Sequence, residues 1–264
     1  MFRCRDEELR KLNRRYDNGG FECIIIYGRR RVGKTALIGE FCRNKPTVFF
    51  SALLEATERD NLKALSAAIC TCKDPRAADV PEYDSCDAAF REITRMAADQ
   101  RLVFVIDEYP YLAKSSPSIS SRLQHLIDHT WKESNLFLIL CGSSMSFMEN
   151  QVLGYQSPLY GRRTGQFNIE PLTYKETALF NPDSDNVTKA LIYGVTGGIP
   201  HYINKLNVRG DFRGALLENF FDRSAYLFEE PANLLKQERR EPASYNSIIA
   251  AIAGGASRMN YIAT

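Results

Sequence analysis

Gly28, Gly33, Lys34 and Thr35 stand in the order glycine, four free positions, glycine, lysine, threonine. Few short patterns restrict a fold as tightly. The spacing works where a buried strand turns sharply into a helix. There, consecutive backbone N–H groups face one concavity and form a nest for an anion. The helix adds the positive end of its dipole and its unpaired N–H donors. Lys34 then reaches the β- and γ-phosphates of a nucleotide, and the Thr35 hydroxyl ligates Mg²⁺. The flanks agree: Phe21 to Ile26 is an apolar, β-branched run suited to a buried strand, and Ala36 to Cys42 has the pattern of a helix. Average residue usage would produce the four fixed positions by chance roughly one time in a hundred in a chain of this size. Arg29, Arg30, Arg31 and Val32 occupy the free positions, and Ala36 completes the stretch expected to touch the nucleotide. The three arginines read as the variable, solvated part of the loop.

A second landmark runs from Leu102 to Glu108. An unbroken apolar run ending in acids predicts a central parallel strand covered on both faces. Carboxylates at its C-terminal end stand where ligands bind in open α/β sheets. Asp107 is expected to hold Mg²⁺, usually through water. Glu108 is expected to orient and deprotonate an attacking water. A further buried strand, Leu136 to Gly142, ends in Ser143 and Ser144. A hydroxyl there either contacts the γ-phosphate or its water, or belongs to a turn rich in small polar residues. Arg162 and Arg163 follow an irregular stretch. One of them presented to a γ-phosphate would raise the rate about 10³- to 10⁵-fold, but adjacent arginines also suit a solvated turn.

Composition excludes more than it selects. Across 264 residues, 44% hydrophobic and 25% charged are ordinary globular values, and the chain can bury one large or two modest cores. A formal net charge of +2 does not by itself argue for nucleic acid. The charged start predicts no signal peptide, and no apolar run has membrane-spanning length, so a soluble cytoplasmic protein without membrane partners is expected. The seven cysteines are an odd number. Cys23, Cys42 and Cys141 lie in apolar runs and read as small buried residues, whereas Cys70, Cys72 and Cys86 lack the paired spacing of a zinc site. His125 and His129 lie four apart beside Asp128, yet no metalloprotease pattern accompanies them.

The remaining elements follow from caps and breakers. Asp6 is a plausible N-cap for a first helix that buries Leu9, Leu12 and Tyr16. Thr47 to Ser51 is a second strand, Thr57 to Asp60 a capping box, and Ser85 the cap of another helix. Ser118 to Trp131 has helical spacing, and Gln166 to Leu172 reads as the last strand. Beyond Thr173 the pattern becomes helical, broken by Gly197, Gly198 and Pro200. Three regions are expected: 1–172, holding the phosphate loop, a helical lid at 173–240, and 241–264.

Taken together, these motifs resemble the archaeal-type ATPases of the P-loop NTPase superfamily, relatives of AAA+ and STAND proteins. The resemblance is carried by the opening run Phe2 to Leu9, the loop itself, Ile106 to Leu112, Cys141 to Ser144, Pro158 to Arg163 and Gly197 to Tyr202. It implies an α/β fold with an ASCE-type parallel sheet flanked by helices, in which a strand separates the loop strand from the Asp-Glu strand. A helical lid and a winged helix follow in that family. The resemblance also implies Ser144 or Ser143 as sensor 1, Arg162 as the arginine finger in cis or in trans, and Pro200 near the adenine. Family members continue into a complete winged helix and a nuclease-like domain. Tyr245 to Thr264 resembles only the opening of the winged helix, so nucleic acid is a partner expected only of a longer form.

Three functions remain in view: Mg-dependent ATP hydrolysis, an ATP-binding switch with little turnover, and nucleic-acid binding through the C-terminal helices. The guanine-specific pattern Asn-Lys-x-Asp is missing its aspartate at Asn207, which favours ATP and ADP as ligands.

Overall fold

The computed structural model describes residues 3–76, 81–206, 208, 211–238 and 242–259. Five strands form one sheet: β1 (Glu22–Tyr27), β2 (Thr47–Ser51), β3 (Leu102–Asp107), β4 (Leu136–Gly142) and β5 (Gly165–Asn168). Their order is β2-β3-β4-β1-β5, and every neighbouring pair is parallel. β4 thus separates the strand before the loop from the strand that ends in Asp107, as the resemblance implied.

Parallel strands need crossovers, and the crossovers are helices that cover both faces. In chain order the covering helices are α1 (Asp6–Asp17), which precedes β1, and the crossover helices α2 (Lys34–Cys42), α3 (Glu58–Lys73), α4 (Cys86–Asp99), α5 (Tyr109–Ser115) and α6 (Ile119–His129). The pleat sends alternate residues to opposite sides. Ile25, Phe104 and Leu138 join the core beneath α3 to α6, whereas Ile24, Val105 and Ile139 join the core beneath α1 and α2. Both central strands β3 and β4 are buried along their whole length. Trp131 is fully buried and its indole N–H donates to Thr94 Oγ1 at 2.8 Å.

Local chemistry sets the helix boundaries. Thr57 and Asp60 form a reciprocal capping box at α3, and Ser85 accepts from Ala88 N–H at α4. The first helix departs from expectation: Arg5 is its N-cap residue and Asp6 its first helical residue, so Asp6 meets the dipole without capping. α6 ends at His129, and Trp131 opens a separate 3₁₀ turn. β5 is shorter than expected and starts one residue earlier. Of the three cysteines read as buried, Cys23 and Cys141 are and Cys42 is half-buried. After β4, a short helix α7 (Met145–Phe147) widens into a π-helical turn, Met148–Val152.

Compact packing divides the chain into Met1–Pro171 and Leu172–Thr264. The second unit is helical: α8 (Tyr174–Ala178), α9 (Asn186–Thr196), α10 (Pro200–Lys205), α11 (Phe212–Leu216), α12 (Glu230–Glu238) and α13 (Pro242–Ala253). Gly197 ends α9 in the left-handed conformation, φ 58°. Gly198 is also left-handed, and a Cβ there would stand 2.0 Å from the Leu172 carbonyl oxygen. Within this unit α13 packs on α12. On α13, Tyr245, Ile248, Ile249 and Ile252 are all exposed. Of the stretch that resembles the opening of a winged helix, residues 260–264 lie outside the described residues. Among the described residues no helix is long and apolar enough to cross a membrane.

Candidate functional site

The loop leaves β1 at Tyr27 and enters α2 at Lys34. Its two glycines are required for different reasons. Gly28 has φ +150°, and a Cβ on it would stand 2.2 Å from the carbonyl oxygen of Ile169, just past β5. Gly33 is the N-cap residue of α2 and is left-handed, φ 96°, a conformation that costs glycine little. Between them, Val32 is fully buried and anchors the loop in the core beneath α1 and α2. Arg30 donates to the Tyr111 hydroxyl at 2.6 Å, which ties the loop to α5.

Lys34 is 7% exposed, and its ammonium donates to the carbonyls of Gly28 and Arg29, both at 2.9 Å. Burial pushes its pKa down, against the pull of Cys141, Glu108 and Asp107. A phosphate would supply the counter-charge that this burial favours. The Thr35 hydroxyl donates to Asp107 Oδ2 at 3.0 Å, across 72 residues of sequence. These two hard oxygen donors, at the start of a helix beside the nest, fit Mg²⁺. Among the described residues no group of three or more His, Cys, Asp and Glu side chains converges for a metal.

Glu108 follows Asp107 in the left-handed region, φ 51° and ψ 44°. Such a conformation costs a non-glycine residue on the order of 1–3 kcal/mol. Its N–H donates to Asp107 Oδ1 at 3.0 Å, and its carbonyl accepts from Tyr111 N–H at 2.9 Å. The sharp turn starts α5 at once, with Pro110 in its first turn, where a missing N–H costs nothing. At the end of β4 beside it, a Cβ on Gly142 would stand 2.8 Å from Pro110 Cδ. That close approach sets the next residue against Glu108. Ser143 donates to both Glu108 carboxylate oxygens at 3.0 Å. Ser144 is exposed and makes no side-chain cap to α7. Of the two serines, the structure brings Ser143 to the glutamate.

Arg162 stands elsewhere. It lies three residues before β5, and β5 pairs its first residue, Gly165, with Ile24 near the start of β1. The phosphate loop leaves the other end of that six-residue strand, on the order of 15–20 Å away along the strand axis. The Arg162 guanidinium forks onto Asp128, with Nη2 at 2.6 Å from Oδ2 and Nε at 3.1 and 3.0 Å from the two oxygens. Nη1 donates to the Pro158 and Tyr160 carbonyls. The pair holds the Asp128 carboxyl down at about 2. Asp128 is thereby engaged by Arg162 and Lys132, while the rings of His125 and His129 pack 4.6 Å apart. Pro200 is the first residue of α10 in the second unit.

One contact lay outside the sequence expectations. Arg5 is buried, and its Nη2 donates to the Val32 carbonyl at 3.2 Å and to the Glu170 carbonyl, while Nη1 pairs with Glu8 at 3.1 Å. The available signal was an arginine fixed in the opening run, ahead of three acids.

The sheet order, the strand–loop–helix unit and the acids at the end of β3 define a P-loop NTPase fold. The family model described as an ATPase domain predominantly from Archaea matches residues 2–206, and the chain belongs to that family. Membership carries with it ATPase-type nucleotide binding. An uncharacterized protein of Methanocaldococcus jannaschii is 35% identical over 255 residues, which are 97% of this chain and 55% of that protein. The chain therefore spans about half the length of that relative. The Walker-type ATPase of Pyrococcus abyssi superposes with a TM-score of 0.73 at 23% identity, covering 99% of this chain and 82% of that one. The Aeropyrum pernix ORC1 protein, solved in complex with DNA, superposes at 0.59 with 15% identity, covering 100% and 76%. At such identities the likeness concerns the fold.

Proposed function

We propose that this chain binds Mg-ATP at Gly28–Thr35 and hydrolyses its β,γ-phosphoanhydride bond. The observation that carries the reading is the meeting of loop and acid strand: Thr35 on Asp107, and Glu108 held beside them by Ser143. The nest of N–H groups from Gly28 to Ala36, with the α2 dipole, would seat the β- and γ-phosphates. Lys34 would exchange its two carbonyl partners for phosphate oxygens. Bound Mg²⁺, held by Thr35 and Asp107, would neutralise charge on the phosphates. Glu108 would take a proton from water as the water oxygen attacks the γ-phosphorus, and the bond to the bridging oxygen would break, leaving ADP and phosphate. Ser143 fits the sensor 1 role better than Ser144, because its hydroxyl already orients the carboxylate.

Arg162 fits a role in trans, on the site of a second copy, since its place at the opposite end of β1 keeps it from its own loop. The assignment of Pro200 to the adenine rests on the family resemblance alone. A second reading, an ATP-dependent switch with little turnover, is favoured by one observation: Asp128 and two carbonyls already engage the Arg162 guanidinium. Phosphate release and nucleotide retention separate the readings. Lys34→Ala should abolish binding, whereas Glu108→Gln should retain ATP and lose phosphate release at least a hundredfold. Parent protein that holds ATP and releases no phosphate would leave the switch and remove the hydrolase.

A further inference from the structure

We propose that Arg5 is a positioning residue for the phosphate nest: it sets the orientation of the Val32–Gly33 peptide plane, and through it the affinity for nucleotide phosphates. The inference rests on the nucleotide-site reading above.

The geometry is that of one rigid group spanning two backbone segments. Arg5 Nη2 donates both to the Val32 carbonyl, at the C-terminal end of the loop, and to the Glu170 carbonyl, beyond β5. The Arg5 side chain is 8% exposed, and Glu8 holds its other nitrogen at 3.1 Å. A trans peptide is planar, with its C=O and N–H pointing in opposite directions. Holding the Val32 oxygen on the outer side of the loop therefore aims the Gly33 N–H to the inner side, where a phosphate would lie. Gly33 has no Cβ and is left-handed at φ 96°, so its own sterics restrain that plane weakly. An external clamp is what such a plane needs.

The other end of the loop is fixed by different means against the same segment. Gly28 packs on the Ile169 carbonyl, and Ile169 N–H donates to the Tyr27 carbonyl at 2.7 Å. The stretch Ile169–Glu170 is thus a common footing, reached directly by Gly28 and through Arg5 by Val32. A lysine at position 5 keeps the charge but lacks the planar fork that reaches both carbonyls and Glu8 at once.

The test is titration of the whole chain with a fluorescent methylanthraniloyl-ADP, together with phosphate release at varied ATP. Arg5→Met should weaken the probe at least tenfold and Arg5→Lys about threefold. KM for ATP should rise with them, while kcat at saturation stays within twofold, because Asp107, Glu108 and Ser143 are untouched. Arg15→Met, which removes a salt bridge to Glu22 at the start of β1, is the control for stability alone and should leave probe affinity unchanged. If Arg5→Met does not fold, Arg5→Lys and Glu8→Gln carry the test, and each should weaken the probe while the melting temperature stays near the parent's. A folded Arg5 variant that binds as the parent does, or that loses kcat and keeps KM, overturns the inference and leaves the nucleotide site standing. A parent that binds the probe no better than Lys34→Ala removes both.

Discussion

Ser143 and Ser144 are adjacent, both are small, and either could be the polar residue that ends the strand after Gly142. They differ in direction, because successive residues leaving a strand face opposite ways. One reaches Glu108 and the other faces solvent. Ser143→Ala should therefore lower phosphate release tenfold or more with little change in nucleotide affinity, and Ser144→Ala should change turnover less than twofold. Equal losses for both variants in a steady-state assay would remove Ser143 from the site. Glu108 makes the same point in its backbone. Its left-handed conformation is unusual for a residue with a side chain, and it allows α5 to begin at once and Gly142 to close on Pro110.

At the scale of elements, the Asp128–Arg162 pair joins the last turn of α6 to the approach to β5. Both side chains keep about one-fifth of their surface in solvent, which screens the pair and limits what it adds to stability. Its pH dependence has a definite sign. The folded-state pKa of Asp128 is lowered to about 2 by the Arg162 hydrogen bonds. The contribution is therefore fully present above the ordinary carboxylate pKa, near 4, and is lost as pH falls towards about 2. The urea midpoint of Asp128→Asn should lie below that of the parent at pH 5, and the gap should close between about pH 4 and pH 2. A gap of constant size over that range would show that the pair contributes nothing through ionisation. Elsewhere the caps decide the element boundaries, as Thr57, Ser85, Thr173 and Asp185 each accept from an N–H of the first turn they precede.

For the whole molecule, the parallel sheet has two ends, and the residues proposed for one reaction are divided between them. Loop, Asp107, Glu108 and Ser143 gather at the C-terminal end, as expected in open α/β sheets, while Arg162 stands at the other. Complementation follows if Arg162 serves a second copy. Glu108→Gln and Arg162→Ala should each release phosphate at least tenfold more slowly than the parent. A one-to-one mixture should exceed the mean of the two, because one copy keeps the base and its neighbour the arginine. Turnover per chain should also rise with protein concentration. A mixture no faster than that mean would confine Arg162 to its structural pair with Asp128.

Local pattern was enough for the loop and for the presence of each strand, although β5 ends at Asn168, short of the run to Leu172. The glycines, Lys34 and Thr35 lie within eight consecutive positions, and the runs ending at Asp107 and Gly142 are apolar throughout, so neither depends on distant contacts. The turn chemistry around Gly197 to Pro200 was equally legible. What the tertiary structure decided are pairings between residues far apart in the chain: Arg162 with Asp128, Ser143 with Glu108, Arg5 with Val32 and Glu170. Each depends on sheet order and register, which bring together or separate side chains that a linear pattern treats alike. That is why an arginine that the resemblance left open between cis and trans lies a strand's length from its own loop, and why Arg5, one residue of the opening run, reaches the carbonyl of Val32 in that loop.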